Sequence, residues 1–202
     1  MFTDLNTMYP AFEVKTRTAA DIIDVILTAL PGIYTAVDLG CGSGIYVRAL
    51  NDSGVKCFGI DYGIDKMQLM AISLSDIYHK DLTKLVHLQS AYPIADPDLV
   101  FCIEVAEHIK KEREANFFDS VVWMANKWIV FTGSDKPHSP GHINPQSNEY
   151  WRERITERGT HKYRADLSQT IMDSCKTIIG VPGCLQWFQA NLQVFERIEN
   201  VG

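Results

Sequence analysis

The sequence feature that most restricts the possible folds is the segment VDLGCGSG at residues 37–44 of this 202-residue chain. An apolar run interpreted as a buried strand leads into the glycines, and a segment with helical spacing of apolar residues follows them. Glycine allows a sharp backbone turn and lets a ligand approach the backbone closely. Because the following helix offers unpaired N–H groups and its positive dipole end, the segment predicts an anion-binding turn between a strand and a helix.

Strand-like and helix-like apolar patterns alternate along the chain. The strand-like segments are residues 35–40, 55–61, 75–82, 97–105 and 127–133. The helix-like segments are residues 18–30, 44–54, 64–74 and 112–126. This alternation, with strands that are apolar on both faces, predicts an α/β fold with a doubly wound, mostly parallel sheet and helices on both faces.

Local start and stop signals set the expected element boundaries. Thr18 is the expected N-cap of the first helix, and Pro31–Gly32 end it. Residues 133–149 are rich in Pro, Gly, Ser and Asn, and a loop of this length in a compact domain is usually functional or disordered. Asn144–Pro145 are expected to begin the next helix, which Gly159 ends.

The chain length fits a single domain over residues 1–202. A helical segment at residues 1–33 precedes a ligand-binding core at residues 34–135, and residues 136–202 supply a substrate loop and the C-terminal part. Residues 184–198 are interpreted as a helix followed by a final strand. Because little chain follows the fifth strand, we expect a shortened C-terminal part.

Composition limits the classes of partner and compartment. The formal net charge of -6 argues against a nucleic-acid binder that relies on a broad basic surface. Five cysteines, an odd number without a C-x-x-C spacing, favour a reduced intracellular protein over a disulfide framework. No apolar stretch approaches the roughly 18 residues that span a bilayer, and no secretory signal pattern is found. We therefore expect a cytoplasmic protein without a membrane partner.

Acidic side chains lie at or near the ends of four successive strands. Asp38 precedes the glycine turn and Asp61 ends the second strand; Asp81 follows the third and Glu104 ends the fourth. Ligands of open α/β sheets bind at the C-terminal ends of the strands, where an acid after the second strand can accept hydrogen bonds from ribose hydroxyls. For Asp81 a turn aspartate, and for Glu104 a helix-start acid, stay open as alternatives.

Two phosphate-binding patterns fit the glycine turn less well. In the dinucleotide fingerprint G-x-G-x-x-G counted from Gly40, the third glycine falls on Ile45, so the small residue needed for close helix–strand packing is missing. The G-K-[ST] of a Walker phosphate loop is absent. Asp38 suits a ligand with positive charges better than a pyrophosphate. An NAD-dependent oxidoreductase on a related fold is kept as an alternative.

Four segments, VDLGCGSG, GID, KDLTK and DLVFCIEVAEHI, resemble in this order the Rossmann-like class I S-adenosylmethionine (SAM)-dependent methyltransferases. The resemblance extends over residues 16–135. Two later segments, HINPQSNEYWRERITERG and WFQANLQVFERI, resemble the C-terminal part of small bacterial and phage methyltransferases. The family implies SAM as the cofactor and S-adenosylhomocysteine (SAH) as its product.

The residues that the resemblance implies at the cofactor lie at the glycine turn or at strand ends: Asp38, Gly40, Cys41, Gly42, Asp61, Tyr62, Asp81, Leu82 and Glu104. Asp38 would lie near the ammonium group of SAM and Glu104 near the sulfonium. Asp61 would bind the ribose hydroxyls, and Asp81 the adenine amino group. For Cys41, a small buried thiol is the alternative.

Two histidines are candidates for catalysis. His142, on the loop after the fifth strand, and His108, just past the fourth strand, could act as a general base or contact the substrate. A hydrogen-bonded or solvated loop histidine is the alternative for both. His138 could pair with His142 at a metal, but no cysteine or nearby carboxylate pattern completes a ligand set. We therefore expect no metal.

The acceptor is expected to be a small molecule or sugar, methylated on O or N. The acidic balance and the lack of a nucleic-acid module motivate this expectation and make nucleic acid an unlikely partner. The absence of an N/D-P-P-Y/F tetrapeptide after the fourth strand argues against methylation of a DNA base amine. A non-catalytic SAM-binding protein is the remaining alternative, and the oligomeric state is left open.

Overall fold

The structure is a computed structural model and describes residues 5–62, 76–87, 92–137, 139, 141–178 and 184–198. These residues form a seven-stranded sheet in the order β3-β2-β1-β4-β5-β7-β6. The strands are β1 (Thr35–Leu39), β2 (Lys56–Asp61), β3 (Ile77–His79), β4 (Leu99–Ile103), β5 (Trp128–Thr132), β6 (His161–Tyr163) and β7 (Gln193–Arg197). The helices are α1 (Leu5–Ala29), α2 (Ile45–Asp52), α3 (Glu114–Met124), α4 (Asn148–Thr156), α5 (Ala165–Cys175) and α6 (Cys184–Asn191). The predicted α/β fold with a mostly parallel sheet is confirmed.

The centre of the sheet contains the point at which the strand order reverses. β1 pairs in parallel with β2 on one side and with β4 on the other. The chain therefore runs outward from β1 to β3 and then crosses back to β4. Such a switch point leaves a crevice at the C-terminal ends of the strands, where ligands bind. Asp38 of β1 lies at this position, in register with Gly59 of β2 and Phe101 of β4.

Two hydrophobic cores cover the two faces of the sheet, because successive strand residues point to opposite sides. The first core packs Phe101 of β4 with Ile26 of α1. The second packs Val100, its neighbour along the strand, with Phe118 of α3 and Trp151 of α4. Fully burying a large apolar side chain such as these contributes about 1.5–3 kcal/mol. The crevice is thus bordered by rigid, well-packed elements.

The C-terminal part contains an antiparallel strand pair. β7 pairs antiparallel with β5, and β6 pairs antiparallel with β7 at the edge of the sheet. The helix and strand predicted over residues 184–198 are confirmed as α6 and β7. β6 and α5 had no sequence prediction. β6 has three residues and no apolar alternation, which makes such an edge strand hard to detect.

Two predicted boundaries are wrong. α1 begins at Leu5, so Thr18 is a buried residue inside the helix and not its N-cap. α4 begins at Asn148, because the Ser147 hydroxyl caps it by accepting a 3.2 Å hydrogen bond from the Tyr150 amide. Asn144 is instead buried in the preceding loop. The helix predicted at residues 64–74 lies outside the described residues.

Membrane and disulfide features can be judged for the described residues. None of the helices in that part of the chain combines the length and apolar character needed to cross a bilayer. Four cysteines, Cys41, Cys57, Cys102 and Cys175, are buried free thiols. Burial raises the pKa of each of these thiols, so they behave as small apolar side chains.

Candidate active site

The glycine turn leaves β1 at Leu39 and passes directly into α2. The Gly40 amide donates to the Ile60 carbonyl at 2.7 Å, which ties the turn to β2. Gly40 has a φ of 77°, and a Cβ added to it would lie 2.3 Å from Cγ2 of Val105. Gly42 has a φ of 50°, but no described atom lies within 4 Å of the position of its missing Cβ. Gly40 is therefore required by packing, whereas Gly42 borders open space that a ligand can enter.

Asp61 lies across from the turn at the C-terminal end of β2. Its Oδ2 accepts a 2.9 Å hydrogen bond from the Gly42 amide. The register of the two strands produces this contact. Leu39 pairs with Ile60, so the glycine turn that follows Leu39 lies beside Asp61, which follows Ile60. The predicted proximity of the turn and the second-strand acid is therefore present in the structure.

Asp38 is a buried acid beside the same turn. It is 2% exposed, and among the described residues its Oδ2 has no hydrogen-bond partner. Burial, together with the Asp61 charge, raises the pKa of Asp38 to about 8. Leaving a buried carboxylate oxygen unpaired is costly, so the position suits a ligand that brings a positive charge.

Asp81 lies in a turn after β3, where Thr83 donates two hydrogen bonds to one of its carboxylate oxygens. The Thr83 amide and hydroxyl donate to Oδ1 at 3.0 and 2.6 Å. These two hydrogen bonds lower the pKa of Asp81. The turn role that the sequence left open is therefore present, although Asp81 also faces a cavity. Lys84 Nζ lies 3.6 Å from its Oδ2.

Most of the predicted site residues line one cavity of about 340 Å³. It is lined by Gly40, Asp61, Tyr62, Asp81, Leu82, Thr83, Glu104, Val105, His108 and Ile109. Leu82 is buried, whereas Tyr62 is 73% exposed. Four predicted site residues do not line this cavity: Asp38, Cys41, Gly42 and His142. Cys41 is a buried thiol whose sulfur packs toward Gly59 of β2, the alternative that the sequence left open.

Glu104 follows β4 in a strained backbone conformation. Its φ of 55° makes it the one non-glycine residue of positive φ in the described ranges. Thr132 of β5 stabilises this backbone conformation, because its carbonyl and hydroxyl oxygens accept hydrogen bonds from the Glu104 amide at 3.2 and 3.0 Å. Asn191 of α6 donates to Oε1 at 3.4 Å. Strained residues of this kind cluster at functional sites, so the geometry favours a ligand-facing role over a helix-start acid.

Glu107 is a site residue that the sequence reasoning missed. It lies in a 3-10 turn at Ala106–His108 and is fully buried. Its Oε1 accepts from the Ser134 amide at 3.2 Å, and its Oε2 has no partner among the described residues. Burial, followed by the neighbouring Glu104 carboxylate, raises the pKa of Glu107 to about 8. The spacing of Glu107 from Glu104, three residues along one short turn, is the signal that could have found it.

His108 and His142 meet beside Glu107. Their rings lie 4.9 Å apart, edge to face. His108 Nδ1 lies 2.8 Å from the Gly141 carbonyl, and His142 Nδ1 lies 2.9 Å from the Lys136 carbonyl. His142 Nε2 lies 3.9 Å from Glu107 Oε1. The loop after β5 therefore brings one predicted histidine to the other, whereas the predicted partner His138 lies outside the described residues.

Potential metal-ligating atoms of Glu107, His108 and His142 all lie within 4.8 Å of one another. The sequence showed no carboxylate near His142, because Glu107 is remote in the chain and approaches only through folding. This triad, named here the Glu–His–His cluster, adjoins the cavity through His108. It is the group in the described residues that could hold a metal ion.

The fold and the glycine turn define a Rossmann-like domain of the kind that binds an adenosyl cofactor. The methyltransferase domain family matches residues 37–122. The ubiquinone biosynthesis O-methyltransferase of Methylococcus capsulatus is 35% identical over 166 residues, which cover 77% of this chain and 68% of that protein. The chain belongs to the class I SAM-dependent methyltransferases, with SAM as its cofactor. The alternative of an NAD-dependent oxidoreductase is thereby set aside.

Two solved structures share the fold. A SAM-dependent methyltransferase from Archaeoglobus fulgidus superposes with a TM-score of 0.61 at 13% identity, over 96% of this chain and 100% of that one. The small RNA methyltransferase HEN1 superposes with a TM-score of 0.62 at 17% identity, over 92% of this chain and 25% of that one. At these identities the similarity concerns the architecture of the domain.

Proposed function

We propose that this methyltransferase methylates a hydroxyl oxygen of a small-molecule acceptor that binds between the cofactor and the Glu–His–His cluster. The single observation that carries the proposal is the position of His108, which belongs to the cluster and also lines the cavity beside Gly40 and Asp61. Proton-accepting side chains and the cofactor crevice thus share one wall. The O-methyltransferase from Methylococcus capsulatus supports oxygen, rather than nitrogen, as the acceptor atom.

The described residues fit SAM at both of its ends. The unpaired Oδ2 of buried Asp38 suits an ammonium group, and the open space beside Gly42 admits the methionine portion. We assign the ribose hydroxyls to Asp61. We assign the adenine to the wall that contains Tyr62 and Leu82. The remaining cofactor residues keep the roles that the family resemblance implies.

The acceptor side of the site depends on the C-terminal third of the chain. His142 comes from the loop after β5, and Asn191 from the end of α6 contacts Glu104. We therefore propose a single domain in which residues 34–135 bind the cofactor and residues 136–202 complete the acceptor site. The N-terminal segment, residues 1–33, contributes core packing through α1.

Bound SAM supplies an electrophilic methyl carbon on a sulfonium. The protein's own contribution is to position the acceptor and to accept its proton. If Nδ1 of His142 donates to the Lys136 carbonyl, Nε2 carries the lone pair and can accept that proton. The same reasoning applies to His108 and the Gly141 carbonyl.

An RNA acceptor is the rival that the structural similarity to HEN1 brings forward. The formal charge of -6 provides no broad basic surface for a phosphate backbone, which favours a small acceptor. Incubation with SAM labelled in the methyl group should label phenols or sugar hydroxyls in a panel that also contains amines, RNA and protein. Label confined to the macromolecules would refute the proposal. SAM binding with no turnover in cell extract would favour a non-catalytic binding protein.

A further inference from the structure

We propose that a second cavity, at the β3 edge of the sheet beside the cofactor cavity, binds a free aromatic phosphate of about the size of a mononucleotide. Tyr78 and Tyr92 stack on the aromatic ring of this ligand, and Lys80 and Lys84 bind its phosphate. These four residues define what we call the tyrosine–lysine cavity. The inference goes beyond the proposed function, because its ligand is neither SAM nor the methyl acceptor.

The tyrosine–lysine cavity has a volume of about 560 Å³ and is formed at the end of β3 and along the segment that follows it. It shares Tyr62 and Asp81 with the cofactor cavity, whereas Tyr78 and Tyr92 line the second cavity alone. Pockets of roughly 300–1,000 Å³ accommodate small organic ligands. A ligand of mononucleotide size can therefore lie next to bound SAM at this edge of the sheet.

Two tyrosine rings form an aromatic wall of this cavity. The ring centroids of Tyr78 and Tyr92 lie 4.7 Å apart, and both rings pack against Phe58 of β2, at 5.4 and 5.6 Å. Phe58 is buried and supports the pair, while both tyrosines stay partly exposed. Rings that are held in this way offer a fixed surface on which a planar aromatic ligand can stack.

The charges around the cavity favour an anion. Lys80 and Lys84 line it, and Asp81 is the one acid among its described lining residues. The Lys80 ammonium has no hydrogen-bond or ion-pair partner in the described part of the chain. Lys84 Nζ lies 3.6 Å from Asp81 Oδ2, too far for a hydrogen bond, and the Lys84 side chain is 77% exposed. Both ammonium groups are therefore available to a phosphate, which forms strong hydrogen bonds with lysine.

The segment that carries both lysines, residues 80–87, is fixed to α3 by two hydrogen bonds. The Thr83 carbonyl accepts from Asn116 Nδ2 at 3.2 Å, and the Val86 amide donates to the Ser120 hydroxyl at 2.8 Å. The cavity wall is therefore ordered before a ligand arrives, which lowers the entropic cost of binding.

A free ligand is favoured over a nucleic-acid chain. Lys80 and Lys84 provide two positive charges at one point, which matches a single phosphate group. A nucleic-acid backbone requires a row of such contacts, and the formal net charge of -6 argues against a broad basic surface around the cavity. The combination of two stacking rings with two ammonium groups thus indicates a mononucleotide.

Calorimetric titration of uridine 5′-monophosphate (UMP) into the full-length protein saturated with SAH tests the inference, because SAH already fills the cofactor site. We expect one UMP per chain, bound at least about tenfold more tightly than uridine or inorganic phosphate, since the cavity contacts both parts of the nucleotide. Lys80→Ala should weaken UMP binding about tenfold. Lys162→Ala removes one positive charge from β6, at the opposite edge of the sheet, and should bind UMP as the wild type does.

The aromatic wall has its own pair of variants. Tyr92→Leu removes the ring and should weaken UMP binding by about 5- to 100-fold, the usual effect of losing one stacked aromatic side chain. Tyr92→Phe keeps the ring and should bind UMP as the wild type does. Circular dichroism shows whether each variant keeps its fold. If Tyr92→Leu does not fold, the exposed Lys80 still provides the test.

Three results would overturn the inference: no UMP binding by the wild type, equal binding of UMP and inorganic phosphate, or equal UMP binding by Lys80→Ala and Lys162→Ala. UMP binding that SAH abolishes would also overturn it, because the cavity would then be part of the cofactor site. A short oligouridylate that binds more than about tenfold more tightly than UMP would assign the cavity to a nucleic-acid surface and refute a free ligand. A wild type that binds UMP but not SAH would contradict the cofactor assignment while upholding this second site.

Discussion

The backbone amide of Gly42 donates a 2.9 Å hydrogen bond to the side-chain carboxylate of Asp61, so the turn after β1 and the tip of β2 meet at one point. This contact places the helix N-terminus, which attracts an anion, next to a carboxylate that can accept from hydroxyls. A ligand with a carboxylate at one end and a ribose in its middle matches that order of groups. The assignment of the cofactor residues depends on this relationship.

The two constraints on Gly40 predict an unusually large loss of stability for Gly40→Ala. Alanine must adopt a φ of 77° and place its Cβ 2.3 Å from Val105. Gly54→Ala is the matched control, because Gly54 has a φ of 83° but no described atom near its missing Cβ. We expect Gly54→Ala to cost about 1–2 kcal/mol for the left-handed backbone alone. Overpacking against Val105 should cost Gly40→Ala about 1–3 kcal/mol more. Equal free energies of unfolding in urea for the two variants would contradict the packing argument.

Binding of SAH should release a proton from Asp38 near neutral pH. The pKa of Asp38 is raised from 3.8 to about 8, so this side chain is mostly protonated at pH 7 in the ligand-free protein. An ammonium group beside it favours the carboxylate, so the affinity for SAH should rise with pH up to about 8. Calorimetry in buffers of different ionisation enthalpy measures the released proton. Asp38→Asn should bind SAH more weakly and release less proton; unchanged release in that variant would count against the assignment.

His161 should make the stability of the protein depend on pH between about 4 and 6.5. Burial, together with the Arg197 charge, lowers its pKa from 6.5 to about 4. In this window the unfolded chain binds more protons than the folded one, so stability falls as the pH is lowered through 6.5 and the loss is complete near 4. The lowered pKa corresponds to about 3 kcal/mol. Urea titrations of the wild type and His161→Gln should differ in this slope, whereas the exposed His87→Gln should keep the wild-type slope.

His142→Ala should lower kcat with little change in SAH affinity, because His142 contacts the acceptor side of the site through Glu107 and not the glycine turn. Loss of a general base typically costs about 100–10,000-fold. The measurement is kcat on the best acceptor found in the labelling panel, together with SAH calorimetry. A variant with wild-type kcat would remove His142 from the catalytic candidates and leave His108 as the alternative.

The first half of the fold could be predicted because its signals are local. β1, the glycine turn and α2 follow one another within 18 residues (Thr35–Asp52), and each has its own mark: a buried apolar run, positive-φ glycines and helical spacing. Asp61 was found for the same reason, since the end of β2 is readable in the sequence and parallel pairing brings it to the turn. Local patterning and tertiary structure agree in this part of the chain.

Residues beyond β5 depend on tertiary contacts that patterning does not reveal. The predicted start of α4 was wrong because Asn144 resembles an N-cap. Its side-chain amide instead donates to the buried Glu114 carboxylate at 3.0 Å. Glu107 was overlooked because its spacing from Glu104 does not by itself reveal that His142 lies beside it. Its meaning appears only when the Ile143 and Asn144 amides donate to its carbonyl and dock the loop with His142 beside it.

Calorimetric titration of SAM into the wild type, Asp61→Ala and Asp52→Ala tests the central claim, that the glycine turn and the β2 carboxylate bind one adenosyl amino acid together. Asp52 is an exposed aspartate at the end of α2 and serves as the control. Hydrogen bonds to a charged group contribute about 1.5–3 kcal/mol, so Asp61→Ala should weaken SAM binding by about 10- to 100-fold while Asp52→Ala leaves it unchanged. Equal SAM affinity for Asp61→Ala and the wild type, or no binding heat from the wild type, would contradict the account.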